Sequence, residues 1–194
     1  MPENNGETAY LDTSQLLGPN TLSLLGVGSS DIEIVTPWHQ GGAETYVSDF
    51  LLTKSGEAQH LIAKACIKFR PREAMSEWLG RRKMLEENGV NLPELVVVDG
   101  ATIVEEYIPY GFAEAFNSAN SDSQPRLKFA FVDTYKRIVG AGFSPMSVHD
   151  IRSRGNDAVV IDVGEDIGAP SPITSCNLSI VIDAERHFRN ITSR

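Results

Sequence analysis

"DIEIVTPWHQGGAETYVSDFLLTKSGEAQHLIAKACIKF", residues 31–69, separates into three extended stretches divided by two glycine-containing breaks. "DIEIVTPW" alternates apolar and polar residues, "HQGGAE" reads as a turn, and "TYVSDFLLT" is a second alternating run. "KSGE" is the next turn and "QHLIAKACIKF" the third strand. Strands joined by breaks this short can only run antiparallel, so the stretch predicts a meander.

Downstream, the period changes. "PREAMSEWLGRRKMLEENGV", residues 71–90, places Met75, Trp78, Leu79 and Leu85 on roughly one helical face, with Gly89 as a stop. "LPELVVVDGATIVEEYIPY" predicts two strands around Asp99-Gly100. "GFAEAFNSANSDSQP" predicts a weak helix and a polar loop. "PRLKFAFVDTYKRIVGAG" predicts a helix with Leu127, Phe131, Tyr135 and Ile138 on one side. "VHDIRSRGNDAVVIDVGED", residues 148–166, reads as a β-hairpin, "GAPSPITS" as a loop and "SIVIDAERHFRN" as a last helix. Residues 1–30 are polar and glycine-rich and read as a partly ordered lead-in. The expected fold class is α+β with a mostly antiparallel sheet.

The chain has 194 residues, enough for one domain or two small lobes with a real interior. A net charge of −9 argues against a nucleic-acid or anionic-membrane surface, which needs clustered Lys and Arg. Residues 1–18 lack a basic segment followed by an apolar one, and no run of 18 apolar residues occurs, so neither a signal peptide nor a membrane span is expected. Two cysteines in unrelated contexts, Cys66 and Cys176, argue against a disulfide framework and fit a reducing cytoplasm. His39, His60 and His187 show no metal-ligand spacing, and G-x-S-x-G is absent, which disfavours zinc and hydrolase readings.

Three short stretches bear on chemistry. In "LIAK", Lys64 stands in an apolar strand, where a lysine needs an anionic partner or a route to solvent. Lys68 shares its strand parity. In "TIVEEYIP" a strand runs into a proline-containing exit. In "VVIDVGED" an apolar strand ends in Asp-x-Gly.

These stretches, in this order, resemble the protein-kinase-like superfamily, and the aminoglycoside and choline phosphotransferase branch looks closest. The resemblance covers about residues 31–168. It implies a five-stranded N-lobe with one helix over residues 31–110. A minimal helical C-lobe carrying the hairpin takes residues 111–194, with Mg-ATP bound between the lobes. By that resemblance Lys64 meets the α- and β-phosphates and pairs with Glu77 on the following helix, with Glu73 as the fallback. Gly41 and Gly42 stand where the phosphate loop stands, although the full G-x-G-x-x-G is absent. The main chain of Glu106 and Ile108 would read the base. Asp162 would be the Mg²⁺ ligand. On that reading Lys64→Ala weakens nucleotide binding and spares the fold.

The 148–162 stretch admits two registers. In one, His149-Asp150 is the catalytic loop, Asp150 the base and Asn156 the second metal ligand. The Asp150-to-Asn156 spacing is then six where the family uses five. In the other, a hairpin centred on Asn156 sets Asp150 opposite Asp162. The two facing carboxylates would clamp a divalent cation that relieves their repulsion. The second register explains both spacing and alternation and is preferred. It leaves no general base, because "GAGFSPMS", residues 140–147, holds no acid. The expected function is an ATP-dependent phosphotransferase acting on a small hydroxylated metabolite or a protein. The alternative is a weak or inactive pseudokinase that binds nucleotide or a protein partner. Arg152 and Arg154 would be solvated hairpin residues or contacts for an anionic substrate group. A reduced lobe would leave apolar surface for a second copy to cover as a homodimer.

Overall fold

A computed structural model describes residues 17–40, 45–66, 71–143, 151–163 and 177–193. The chain is α+β and divides into two units, one of Met1–Met75 with Glu94–Tyr107 and the other of Ser76–Pro93 with Ile108–Arg194.

The first unit is built on the meander. Strands β1 (Ile32–Gln40), β2 (Thr45–Lys54) and β3 (Glu57–Cys66) are joined by β4 (Leu95–Asp99) and β5 (Thr102–Glu106). Together they form a five-stranded sheet of order β1-β2-β3-β5-β4, antiparallel at every pairing. The β2–β3 loop is the two-residue Ser55-Gly56, with φ of 55° and 85°. Positive φ at both positions is the primed turn whose twist matches a hairpin, and it fixes the longest register in the sheet. On β1, an edge strand, Pro37 and two register shifts interrupt the pairing, which blunts the edge against foreign strands.

Period-2 alternation sends Phe50, Leu52, Leu61, Ala63, Ala65 and Val104 to one face, all buried. That face packs with Leu17 and Leu25, which the sequence places in a polar lead-in. Residues of this lead-in form a helix, α1 (Pro19–Leu25), whose Thr21 and Leu25 are buried. Asn20 Nδ2 and Thr21 Oγ1 donate to the two Asp99 carboxylate oxygens, both at 2.7 Å, and Lys54 Nζ donates to the Leu25 carbonyl at 3.2 Å. The helix is therefore tied down through β2 and β4. Seven residues form no stable helix in isolation. Docking makes this one.

The second unit takes most of α2 (Pro71–Glu87), then β6 (Tyr110–Gly111), α3 (Phe112–Ser118), α4 (Ser123–Gly140), β7 (Ile151–Arg154), β8 (Asp157–Val160) and α5 (Asn177–Thr192). Strands β6, β7 and β8 form a three-stranded antiparallel sheet. The helical face expected for α4 is the one buried: Leu127, Phe131, Tyr135 and Ile138 are each at most 4% exposed. Phe112, Phe131 and Phe188 complete an aromatic centre, with ring centroids 5.3 to 6.5 Å apart. Gly89 ends the α2 region with φ of 73°, as a left-handed helix stop requires. Among the described residues, no helix is long and apolar enough to cross a membrane.

Burial of Tyr135, reinforced by the Asp183 carboxylate against the opposing pull of Arg186, pushes its phenol up to about 12. The folded state then holds its proton above pH 10 while the unfolded chain releases it. Stability from this group is fully present below pH 10 and is lost as pH rises toward 12, by at most about 1.4 kcal/mol per pH unit. Urea midpoints measured at pH 9 and 11.5 should show this loss in the native protein, and Tyr135→Phe should remove that share of it. Equal pH slopes in the two proteins would contradict the burial of this ring.

Candidate functional site

Strand β3 alternates, so His60, Ile62 and Lys64 occupy the face opposite Leu61 and Ala63. Cross-strand register places Asp49 and Glu105 on either side of Ile62. Each acid is then a diagonal neighbour of one basic β3 residue, His60 or Lys64, within reach of a long side chain. Lys64 Nζ meets Glu105 Oε1 at 2.5 Å, and His60 Nε2 meets Asp49 Oδ2 at 2.8 Å. Both acids are buried, Glu105 at 1% residual exposure. The Lys64–Glu105 contact is a buried ion pair between oppositely charged groups. His60 also stacks on Tyr107 at 4.0 Å and accepts the Tyr107 N–H at its carbonyl.

Lys64 thus takes a partner from its own sheet that sequence reading passed over. Glu77 is an exposed residue of α2 in the second unit. A diagonal pair separated by 41 positions leaves no local signal. The one hint was that Glu105, like Lys64, belongs to an otherwise apolar strand stretch, here Ile103-Val104.

Of the main chain expected to read a base, the Glu106 N–H donates to the Glu94 carbonyl at 2.9 Å. The Glu106 side chain accepts the Glu94 N–H at 3.2 Å. Ile108 is buried, and its carbonyl accepts Arg152 Nη1 at 2.8 Å; the Pro109 carbonyl accepts the same nitrogen at 3.2 Å. Arg152 is therefore engaged by backbone and is not the solvated residue the hairpin suggests. Gly41, Gly42, Lys68, His149 and Asp150 lie outside the described residues.

The hairpin forms, but with a different register from the expected one. Ile151 pairs with Val160, Arg152 with Val159, Ser153 with Ala158 and Arg154 with Asp157. The turn is the two-residue Gly155-Asn156, with φ of 63° at Gly155. Positive φ at the first turn residue alone is the pattern that demands glycine there. It centres the loop between Gly155 and Asn156, half a residue from the expected centre on Asn156, and shifts the pairing by one. The equidistance that set Asp150 opposite Asp162 does not hold for this hairpin.

Asn156 is corrected as well. It lies in the turn at one end of β8 and Asp162 lies beyond the other end. At the rise of an extended strand this puts more than about 10 Å between them. One cation cannot bind both. Asp162 itself is exposed, although Val160 and Val163 beside it are buried at 0% and 2%. Burial therefore does not force a partner on this aspartate, as its place after an apolar strand suggested. Its carboxylate has the hard oxygen chemistry that Mg²⁺ selects. Among the described residues, no three His, Cys, Asp or Glu side chains gather as a metal-binding group.

Among the described residues, chemistry-bearing side chains lie on a sheet face with Lys64, Glu105, His60 and Asp49 in the first unit and at the exposed Asp162 just past a strand in the second. No protein-family model matches the chain, and no curated protein matches its sequence.

Proposed function

We propose that this chain binds Mg-ATP and acts as an ATP-dependent phosphotransferase of the protein-kinase-like superfamily, closest to its aminoglycoside and choline phosphotransferase branch. The observation that carries the reading is Lys64, a lysine 16% exposed and held on a sheet face by buried Glu105. Burying an ion pair costs more than it returns in stability unless its geometry is very good, so such a pair points to a role beyond folding. A three-stranded meander, a helix and two further strands precede a hairpin that runs out to Asp162, the element order on which the resemblance rests.

In this reading Lys64 meets the α- and β-phosphates, and Glu105 orients its ammonium as the resemblance had Glu77 do. The main chain of Glu106 and Ile108 contacts the base, Gly41 and Gly42 approach the phosphates, and Asp162 holds the metal. Mg²⁺, when bound, neutralises charge on the phosphate oxygens. A second reading, binding without efficient transfer, is favoured by one observation. Residues 140–147, which lead toward the hairpin, hold no carboxylate that could serve as a general base.

Thermal melting with ATP, with and without Mg²⁺, tests the proposal. Nucleotide at a hundred times its dissociation constant should stabilise the fold by about 2.7 kcal/mol. An unchanged melting curve at millimolar ATP under both conditions would defeat both readings. A shift without phosphate release or transfer would select the second.

A further inference from the structure

Arg81, one helical turn beyond Glu77 in α2, donates from Nε to the Val163 carbonyl at 2.8 Å. Val163 directly follows the exposed Asp162 and is 2% exposed itself. On the other side of Asp162, the Val160 N–H donates to the Asn91 carbonyl at 2.9 Å. The short segment carrying the aspartate is therefore held at both ends, by α2 and by the loop that follows it. Only the Arg81 bond uses an ionised donor, which makes it the stronger of the two. The neighbouring Arg82 has other work: it pairs with Glu86, donates to the Pro93 carbonyl and lies over the Trp78 ring.

A metal ligand carried on a loose backbone costs conformational entropy when the cation orders it. Fixing its backbone beforehand removes part of that cost. We propose that Arg81 is a positioning residue: by fixing the Val163 carbonyl it presents the Asp162 carboxylate to the divalent cation of a bound nucleotide. This rests on the reading that Asp162 holds the metal. It also gives α2 a function that does not depend on Glu77.

The test compares the full-length native chain with Arg81→Met, which keeps the apolar stem, and Arg81→Lys, which keeps the charge but has no N–H at the ε position. Hydrogen exchange over residues 160–163 is followed without nucleotide, and ATP affinity is titrated in EDTA and across a Mg²⁺ series. In both variants exchange in this segment should quicken. The Mg²⁺ concentration for half-maximal tightening of ATP should rise about tenfold, as when a group supporting a metal ligand is lost. ATP affinity in EDTA should stay unchanged, which a general loosening of the fold would not allow. If the native chain binds Mg-ATP and Arg81→Met alters neither exchange nor metal dependence, the positioning proposal alone is overturned. Full recovery in Arg81→Lys overturns it too, since charge without the directed bond would then suffice. If exchange quickens but no protein binds ATP, the nucleotide reading has failed and takes this proposal with it.

Discussion

Lys64→Met should lower the unfolding free energy by about 3 kcal/mol, because removing one member of a buried ion pair takes a countercharge from the other in a poor dielectric. Glu105, at 1% exposure, is the group that bears this cost. Glu105→Gln should cost less, since a neutral amide is cheaper to bury and Lys64 retains 16% exposure through which to reach water. The double variant Lys64→Met with Glu105→Gln should be more stable than Lys64→Met alone, with a coupling of about 2 kcal/mol. The two tryptophans lie one in each unit, Trp38 in the first and Trp78 in the second, so a Trp78→Phe background leaves a fluorophore reporting on this sheet. Urea unfolding followed at Trp38 gives the cycle. A coupling near zero would mean that the two side chains do not share a buried contact. The result also bears on function. Sequence reading expects a Lys64 substitution to spare the fold, but the buried Glu105 makes the single variant an unsafe test of nucleotide binding. The double variant is the sounder one.

Phe188→Ala should cost about 4 kcal/mol, in the range for emptying a large buried aromatic site. Its ring is 5% exposed and lies 5.6 Å from Phe131, 4.8 Å from Phe116 and 6.5 Å from Phe112, with Lys128 Nζ 5.9 Å above it. This residue joins α5 to both α3 and α4, so the cavity opens where three helices meet and has little scope to collapse. Phe129→Ala, on the same α4 helix as Phe131 but 73% exposed, should change stability by less than about 0.5 kcal/mol. In a Trp38→Phe background, Trp78 fluorescence during urea unfolding measures both. Similar losses for the two variants would contradict the placement of these rings.

Much of the local structure was legible because it rests on periodicity. Alternation in residues 45–66 identified β2 and β3, and the spacing of Leu127, Phe131, Tyr135 and Ile138 identified the buried face of α4. Turn chemistry at Ser55-Gly56 and Asp99-Gly100 marked two of the hairpins, β2–β3 and β4–β5, but not the pairing of β3 with β5. The strand position of Lys64 and the location of Asp162 just past an apolar strand were readable for the same reason.

Other features depend on which distant residues meet. The α1 helix has seven residues and little helix propensity to announce it; Asp99, nearly eighty positions away, supplies its anchor. The hairpin at 151–160 was visible, but its register was decided by a positive φ that only Gly155 tolerates well, and a one-residue shift reverses which side chains face each other. Most consequential for the candidate site, the partner of Lys64 is set by the pairing of β3 with β5. By itself, then, the sequence determined most of the elements, α1 apart, and the position of the lysine. Only the tertiary structure decided that Glu105 meets it, because hydrophobic period acts over a few residues while a diagonal contact exists only once two strands are brought side by side.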